Sequence, residues 1–212
     1  MRRAKMLVLT TAMVLVTTAL LAQEWPQWRG PDRSGRSTET GLLDKWPEGG
    51  PKVLWTISGL GEGFSGISVK DGRIYTMGTH DGGEAVFALN YSDGKQLWVQ
   101  KSSDSIFKEG HGNGPRSTPT TDGDVIYTED SFGVVTCYKA ATGKQVWQIR
   151  LSDLGGKRPN WAYSESPLVV GRGLIVTPGG ARGAIAALDK TNGKLIWQSS
   201  DAKLSVAYSS PI

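Results

Sequence analysis

The stretch Ala187-Leu188-Asp189-Lys190-Thr191-Asn192-Gly193-Lys194-Leu195-Ile196-Trp197 has two earlier versions in the chain. They are Ala88-Leu89-Asn90-Tyr91-Ser92-Asp93-Gly94-Lys95-Gln96-Leu97-Trp98 and Cys137-Tyr138-Lys139-Ala140-Ala141-Thr142-Gly143-Lys144-Gln145-Val146-Trp147. Each reads as a hairpin, in which an apolar strand enters a polar turn ending in Gly94, Gly143 or Gly193, free to take positive φ, and a second strand leaves carrying the tryptophan. A small residue (Ala88, Cys137, Ala187) stands ten positions before Trp98, Trp147 and Trp197, and leaves room for the indole. The tryptophans recur at intervals of 49 and 50 residues, a period that marks a repeat architecture whose units bury their apolar faces against one another.

Outward from these hairpins, each unit reads as four short strands joined by tight turns. In the first, 65–69, 74–79, 85–90 and 96–100 alternate with Asp71-Gly72, Asp81-Gly82-Gly83 and the Gly94 turn. The second offers 117–121, 125–129, 134–139 and 145–150, and the third 166–170, 174–177, 184–189 and 195–198. Four antiparallel strands per unit make a β-propeller blade, so the expected fold is all-β, with blades at about 64–103, 113–153 and 162–201. Residues 52–57, with Trp55, read as the last strand of a further blade, and 205–212 as the opening of another, since Tyr208-Ser209-Ser210-Pro211-Ile212 matches Ser164-Glu165-Ser166-Pro167-Leu168. Three complete blades and two partial ones lead to the expectation that this is the N-terminal part of a longer ring. Residues 51–212 form the propeller segment, preceded by an extended Gly/Pro-rich arm, 23–50, pinned by Trp25, Trp28 and Trp46.

Residues 1–22 read as a signal peptide, with Arg2, Arg3 and Lys5 ahead of an uncharged, mostly apolar run and cleavage expected after Ala22; an uncleaved anchor is the alternative. No cysteine closes the leader, so a lipoprotein anchor is not offered. The formal charge of +4 falls to about +1 without the leader's three cations, which removes the argument for a nucleic-acid partner. The lone Cys137 has no internal partner and occupies the small-residue column, as a core residue would.

The pattern Ala-x-Asp-x-x-Thr-Gly-x-x-x-Trp resembles the tryptophan-docking, pyrroloquinoline quinone (PQQ)-like repeat of quinoprotein dehydrogenases, which the outer-membrane assembly factor BamB shares. The opening Trp25-Pro26-Gln27-Trp28-Arg29-Gly30-Pro31 resembles that of uncharacterised secreted proteins with the same repeat. The resemblance covers residues 25–212 and implies a seven- or eight-bladed propeller, periplasmic or extracellular, with these tryptophans between blades and no membrane span in the mature protein. The repeat is scaffold, so it speaks for fold more than for function.

Chemistry therefore belongs to the loops that lead into the innermost strands. Lys108-Glu109-Gly110-His111-Gly112-Asn113-Gly114-Pro115-Arg116 and Lys157-Arg158-Pro159-Asn160-Trp161-Ala162-Tyr163-Ser164-Glu165 emerge at one end of the channel, so His111, Arg116, Trp161, Tyr163, Glu165 and Tyr208 are expected to face one mouth. The first reading is a non-catalytic binding or assembly scaffold that takes a protein, glycan or small molecule there. The alternative is a PQQ- and calcium-dependent alcohol or sugar oxidoreductase, with Arg116 on a quinone carboxylate and Glu165 on calcium. Quinoprotein dehydrogenases of this type carry a pair of adjacent cysteines over the quinone, and this chain has one cysteine. A third reading, a polymer-binding surface, rests on Trp161, Tyr163 and Tyr208. Neither a Cys-x-x-Cys nor a His-Glu-x-x-His pattern occurs, and no catalytic residue or metal ligand is assigned from the residues themselves.

Overall fold

The computed structural model describes residues 24–109, 111–206 and 208–212, so the expected leader lies outside the described residues. Among the described residues twelve strands form three four-stranded antiparallel sheets. The first holds β1 (Ser68–Lys70), β2 (Arg73–His80), β3 (Gly83–Asn90) and β4 (Gln96–Ser103) in that order. The second holds β5 (Thr120–Asp122), β6 (Val125–Glu129), β7 (Val134–Lys139) and β8 (Gln145–Arg150). The third holds β9 (Leu168–Val170), β10 (Gly173–Val176), β11 (Ala186–Asp189) and β12 (Leu195–Gln198). These are three successive propeller blades.

The repeated hairpin behaves as its composition requires. Gly94, Gly143 and Gly193 take φ of 71°, 70° and 73°, and in each turn the glycine N–H donates to the carbonyl four residues before it, at 2.8–2.9 Å. A bulge follows Ala88, Cys137 and Ala187 in turn, and each of these small residues lies directly across the ladder from its tryptophan. Asp71-Gly72 and Asp81-Gly82 put positive φ at both central residues, the twist that two-residue hairpins need.

The core lies between blades. Trp98 reaches across to the second blade, where a Cβ on Gly143 would sit 2.8 Å from its ring, and its indole N–H donates to Ala140 O at 3.0 Å. Trp147 repeats this on the third blade with Gly193 (2.7 Å) and Lys190 O (3.0 Å). A tyrosine from the second strand of the same blade donates to the same carbonyl: Tyr75 to Ala140 O at 3.2 Å and Tyr127 to Lys190 O at 3.0 Å. The turn glycine thus has two roles, its positive φ and a surface flat enough to receive an indole. Ile126 and Tyr138 pack with Trp98 and Tyr75, and Leu174 and Leu188 with Trp147 and Tyr127. Each buried indole contributes a few kcal/mol by area alone.

Residues 52–57 join no sheet among the described residues, and Trp55 docks like the other tryptophans, with its ring against Gly94 and its N–H donating to Tyr91 O at 3.1 Å. Two expectations need correction. The innermost strands begin two or three residues later than expected. Their first residues bond sideways to the next blade, Thr118 N–H to Ser166 Oγ and Ser166 N–H to Ser210 Oγ, both at 2.9 Å. In the arm, Trp46 is exposed; the anchors are Trp25, paired with Val69, and the buried Arg33. The Arg33 guanidinium donates to Gln27 Oε1 (3.1 Å), Pro167 O (2.7 Å) and Pro211 O, and burial draws its pKa down to about 10. The arm therefore runs along the innermost strands, where Pro26 O also accepts Thr121 N–H at 2.8 Å.

Candidate functional site

Phe64, Arg116, Ser164 and Tyr208 hold one position of the repeat, two residues before Gly66, Thr118, Ser166 and Ser210. The propeller brings this column to one place. With His111 and Trp161, the four line a hollow of about 420 Å³ at the end of the channel from which the innermost strands start. Four successive blade starts thus contribute one side chain each to a common mouth.

Its walls are mostly ring faces. Trp161 stacks on Tyr208 (centroids 5.4 Å, 29°), and His111 meets Trp161 edge-on (5.5 Å, 80°). Tyr208 Oη accepts the Trp161 backbone N–H at 3.3 Å, which ties the two loops together. Arg116 lies over Phe64 at 4.9 Å and Phe107 at 5.3 Å, and Nε and Nη2 donate to Trp161 O (2.9 Å) and Gly112 O (3.1 Å). Gly112 permits this approach, since a Cβ there would meet the Phe64 ring at 2.4 Å. Arg158 stacks on the same Phe107 at 5.0 Å, so two guanidiniums share one ring.

Beneath the mouth, Glu84 fixes the loop that carries Phe107. It is fully buried, and its two carboxylate oxygens accept the backbone N–H of Phe107 (3.1 Å) and of Ser131 (2.9 Å). Burial raises its pKa, and the Ser131 and Phe107 hydrogen bonds and the Arg116 charge oppose the rise.

Of the six candidates from sequence, His111, Arg116, Trp161 and Tyr208 meet at the mouth, and Tyr163 and Glu165 do not. Tyr163 is buried, with its ring on Gly133 and its hydroxyl donating to Pro178 O at 3.0 Å. Glu165 is buried, with Oε2 accepting the Ser164 N–H at 3.1 Å. The physical reason is alternation: Ser164 faces the hollow, so its two neighbours point the other way. The repeat register pairs Arg116 with Ser164 and Tyr208, and not with Glu165. That register also carried the signal for the overlooked Phe64 and Ser164.

Glu165 belongs instead to an interior group of acids. Glu129 is 1% exposed with no hydrogen-bond partner on either carboxylate oxygen, and burial, then the charges of Glu165 and Asp130, push its pKa well up. Burial raises Asp130 to about 7 and raises Glu165 as well. Among the described residues no three His, Cys, Asp or Glu side chains are grouped so as to hold a metal ion. The turn acids serve ion pairs, Asp124 with Lys139 and Asp122 with Lys190, both at 2.7 Å.

Inter-blade tryptophan docking and an aromatic mouth define a repeat protein of the propeller class whose repeated geometry is structural and whose aromatic hollow lies where the innermost strands start. Residues 41–200 match the family described as outer membrane protein assembly factor BamB, and the chain belongs to that family. The protein of that name from Moranella endobia (strain PCIT) is 31% identical over 148 residues, covering 68% of this chain and 36% of that protein. The chain thus spans about a third of its relative's length. Among solved structures, quinohemoprotein alcohol dehydrogenase from Comamonas testosteroni superposes with a TM-score of 0.55 at 19% identity over 84% of this chain and 27% of that one. A europium-containing methanol dehydrogenase does so with a TM-score of 0.50 at 16% identity over 70% and 27%. These two share the fold.

Proposed function

We propose that the protein is an exported, non-catalytic binding scaffold that works in the periplasm or at the cell surface and receives a polypeptide at the channel mouth. The observation that carries this reading is the convergence of Phe64, Arg116, Ser164 and Tyr208 from four blade starts on one ring-lined hollow. Membership of a family described by outer-membrane protein assembly supports a polypeptide as the partner. No helix among the described residues is long and apolar enough to cross a membrane.

The PQQ–calcium alternative keeps one of its two supports. Arg116 is placed to meet a carboxylate beside an aromatic face, but Glu165, the expected calcium ligand, is buried and faces away from the mouth. The residues at the mouth do not fit a quinone–calcium pair.

The test is hydrogen–deuterium exchange on the full chain mixed with an unfolded outer-membrane β-barrel protein. Protection of backbone amides in 111–116 and 161–164 is expected. Protection elsewhere alone, or saturable binding of PQQ that Arg116→Ala abolishes, would overturn the scaffold reading.

A further inference from the structure

The scaffold reading leaves open what the mouth recognises, and the charges around it narrow the choice. Arg116 spends two N–H groups on carbonyl oxygens, which order the guanidinium without neutralising it. None of the ion pairs among the described residues includes Arg116, Arg158 or His111. Glu84, the carboxyl whose field reaches Arg116, has given both oxygens to backbone N–H groups. A second guanidinium, Arg158, lies over the same Phe107 ring, 5.0 Å from its centroid. The six lining residues therefore include a guanidinium and no acid, and Glu62, which reaches the same loop, accepts from Asn113 Nδ2 at 2.7 Å.

The walls decide what must carry the anion. Trp161 and Tyr208 are 51% and 44% exposed and present a stacked pair of rings, with His111 at the edge. Ser164 is the one aliphatic hydroxyl in the lining. The lining combines exposed ring faces with one guanidinium and one aliphatic hydroxyl, a set that suits a flat apolar group standing beside an anion. The volume suits a pair of amino-acid side chains and is small for a folded domain's surface.

We propose, resting on the scaffold reading, that the mouth recognises an unstructured polypeptide segment in which an aromatic side chain stands next to an aspartate or glutamate. The aromatic ring covers Trp161 and Tyr208, and the carboxylate takes the free N–H groups of Arg116. No covalent step is involved. Exposed rings and an unpaired cation held 4.9 Å from the Phe64 ring centroid are complementary to the two halves of such a segment.

The experiment uses NMR of the full chain, following the backbone amides of Gly112 and Ser164. The probes are three blocked tetrapeptides, Gly-Phe-Asp-Gly, Gly-Phe-Asn-Gly and Gly-Ala-Asp-Gly. The Phe-Asp peptide should shift both signals saturably and bind about fivefold or more tighter than the other two, as a half-exposed guanidinium–carboxylate pair allows. Arg116→Gln should make Phe-Asp and Phe-Asn equal, Arg116→Lys should keep part of the preference, and Trp161→Ala should make Phe-Asp and Ala-Asp equal. Equal binding of Phe-Asp and Phe-Asn by the unaltered protein, or no saturable shift by about 10 mM, overturns the proposal. If the unfolded β-barrel protein still protects 111–116 and 161–164 in that case, the scaffold reading stands and only the recognition chemistry is wrong.

Discussion

Replacing Trp147 by alanine removes the side chain that joins the second blade to the third. The indole is 8% exposed, lies opposite Cys137 in the ladder, covers Gly193 and meets Tyr127 at a tilt of 38° with centroids 5.9 Å apart. Loss of a buried tryptophan costs about 3–5 kcal/mol, cavity included. Here the lower half of that range is expected, because Lys190 O keeps the Tyr127 hydroxyl at 3.0 Å after the indole N–H is gone. Tyr127→Phe in the same background should then cost more than it does alone, since the carbonyl would lose its second donor. Val146, next in sequence and 44% exposed, is the control, and Val146→Ala should stay within about 0.5 kcal/mol. Urea denaturation read by circular dichroism and by fluorescence supplies the numbers. A Trp147→Ala loss below about 1 kcal/mol, or one equal to Val146→Ala, would refute inter-blade docking as the source of stability.

Cys137→Ala should change stability by no more than about 1 kcal/mol, because Ala88 and Ala187 fill the same column, and urea midpoints check it. Glu84→Gln should cost about 1–3 kcal/mol, since an amide offers one acceptor where two backbone N–H groups need one each. Arg33→Ala should loosen the arm, so trypsin cleaves at Arg29 and Arg36 faster than in the unaltered protein; unchanged cleavage would show that Pro167 O and Pro211 O do not hold it. The buried acids set a pH dependence. Glu129, Asp130 and Glu165 have folded pKa values raised above the unfolded ones near 4. At these three sites the folded state therefore keeps protons that the unfolded chain releases, so their contribution to stability is fully present below about pH 4 and is lost as pH rises, for Asp130 until about 7. Asp124 and Asp189, with lowered pKa values, act in the opposite sense at acid pH. Glu129→Gln should flatten that fall by up to one proton, about 1.4 kcal/mol per pH unit, and an unchanged slope in urea melts at pH 5 and 7 would contradict it.

The fold was legible because the repeat writes its contacts in side chains that have few alternatives. A turn glycine, a small residue and a tryptophan at fixed spacing leave one arrangement in which the indole finds both space and a carbonyl. Strands 125–129, 134–139, 145–150 and 195–198 fall at the residues their alternation marks. The innermost strands were misplaced because Ser-Pro and Thr-Pro segments look extended, yet their hydrogen bonds run to the neighbouring blade and not to their own. At the mouth, loop composition identified four of the six side chains, whereas Phe64 and Ser164 carried their signal only in the repeat register. Glu84, Glu129 and Arg33 carried no signal, since a charged residue in a strand or arm reads as solvated until burial is known.

Inter-blade docking is tested most directly by deuterium exchange of the indole N–H protons of the full chain, assigned by NMR. The Trp98 and Trp147 protons, donated at 3.0 Å to Ala140 O and Lys190 O, should persist far longer than that of the exposed Trp46. Loss of all three at one rate would contradict the account.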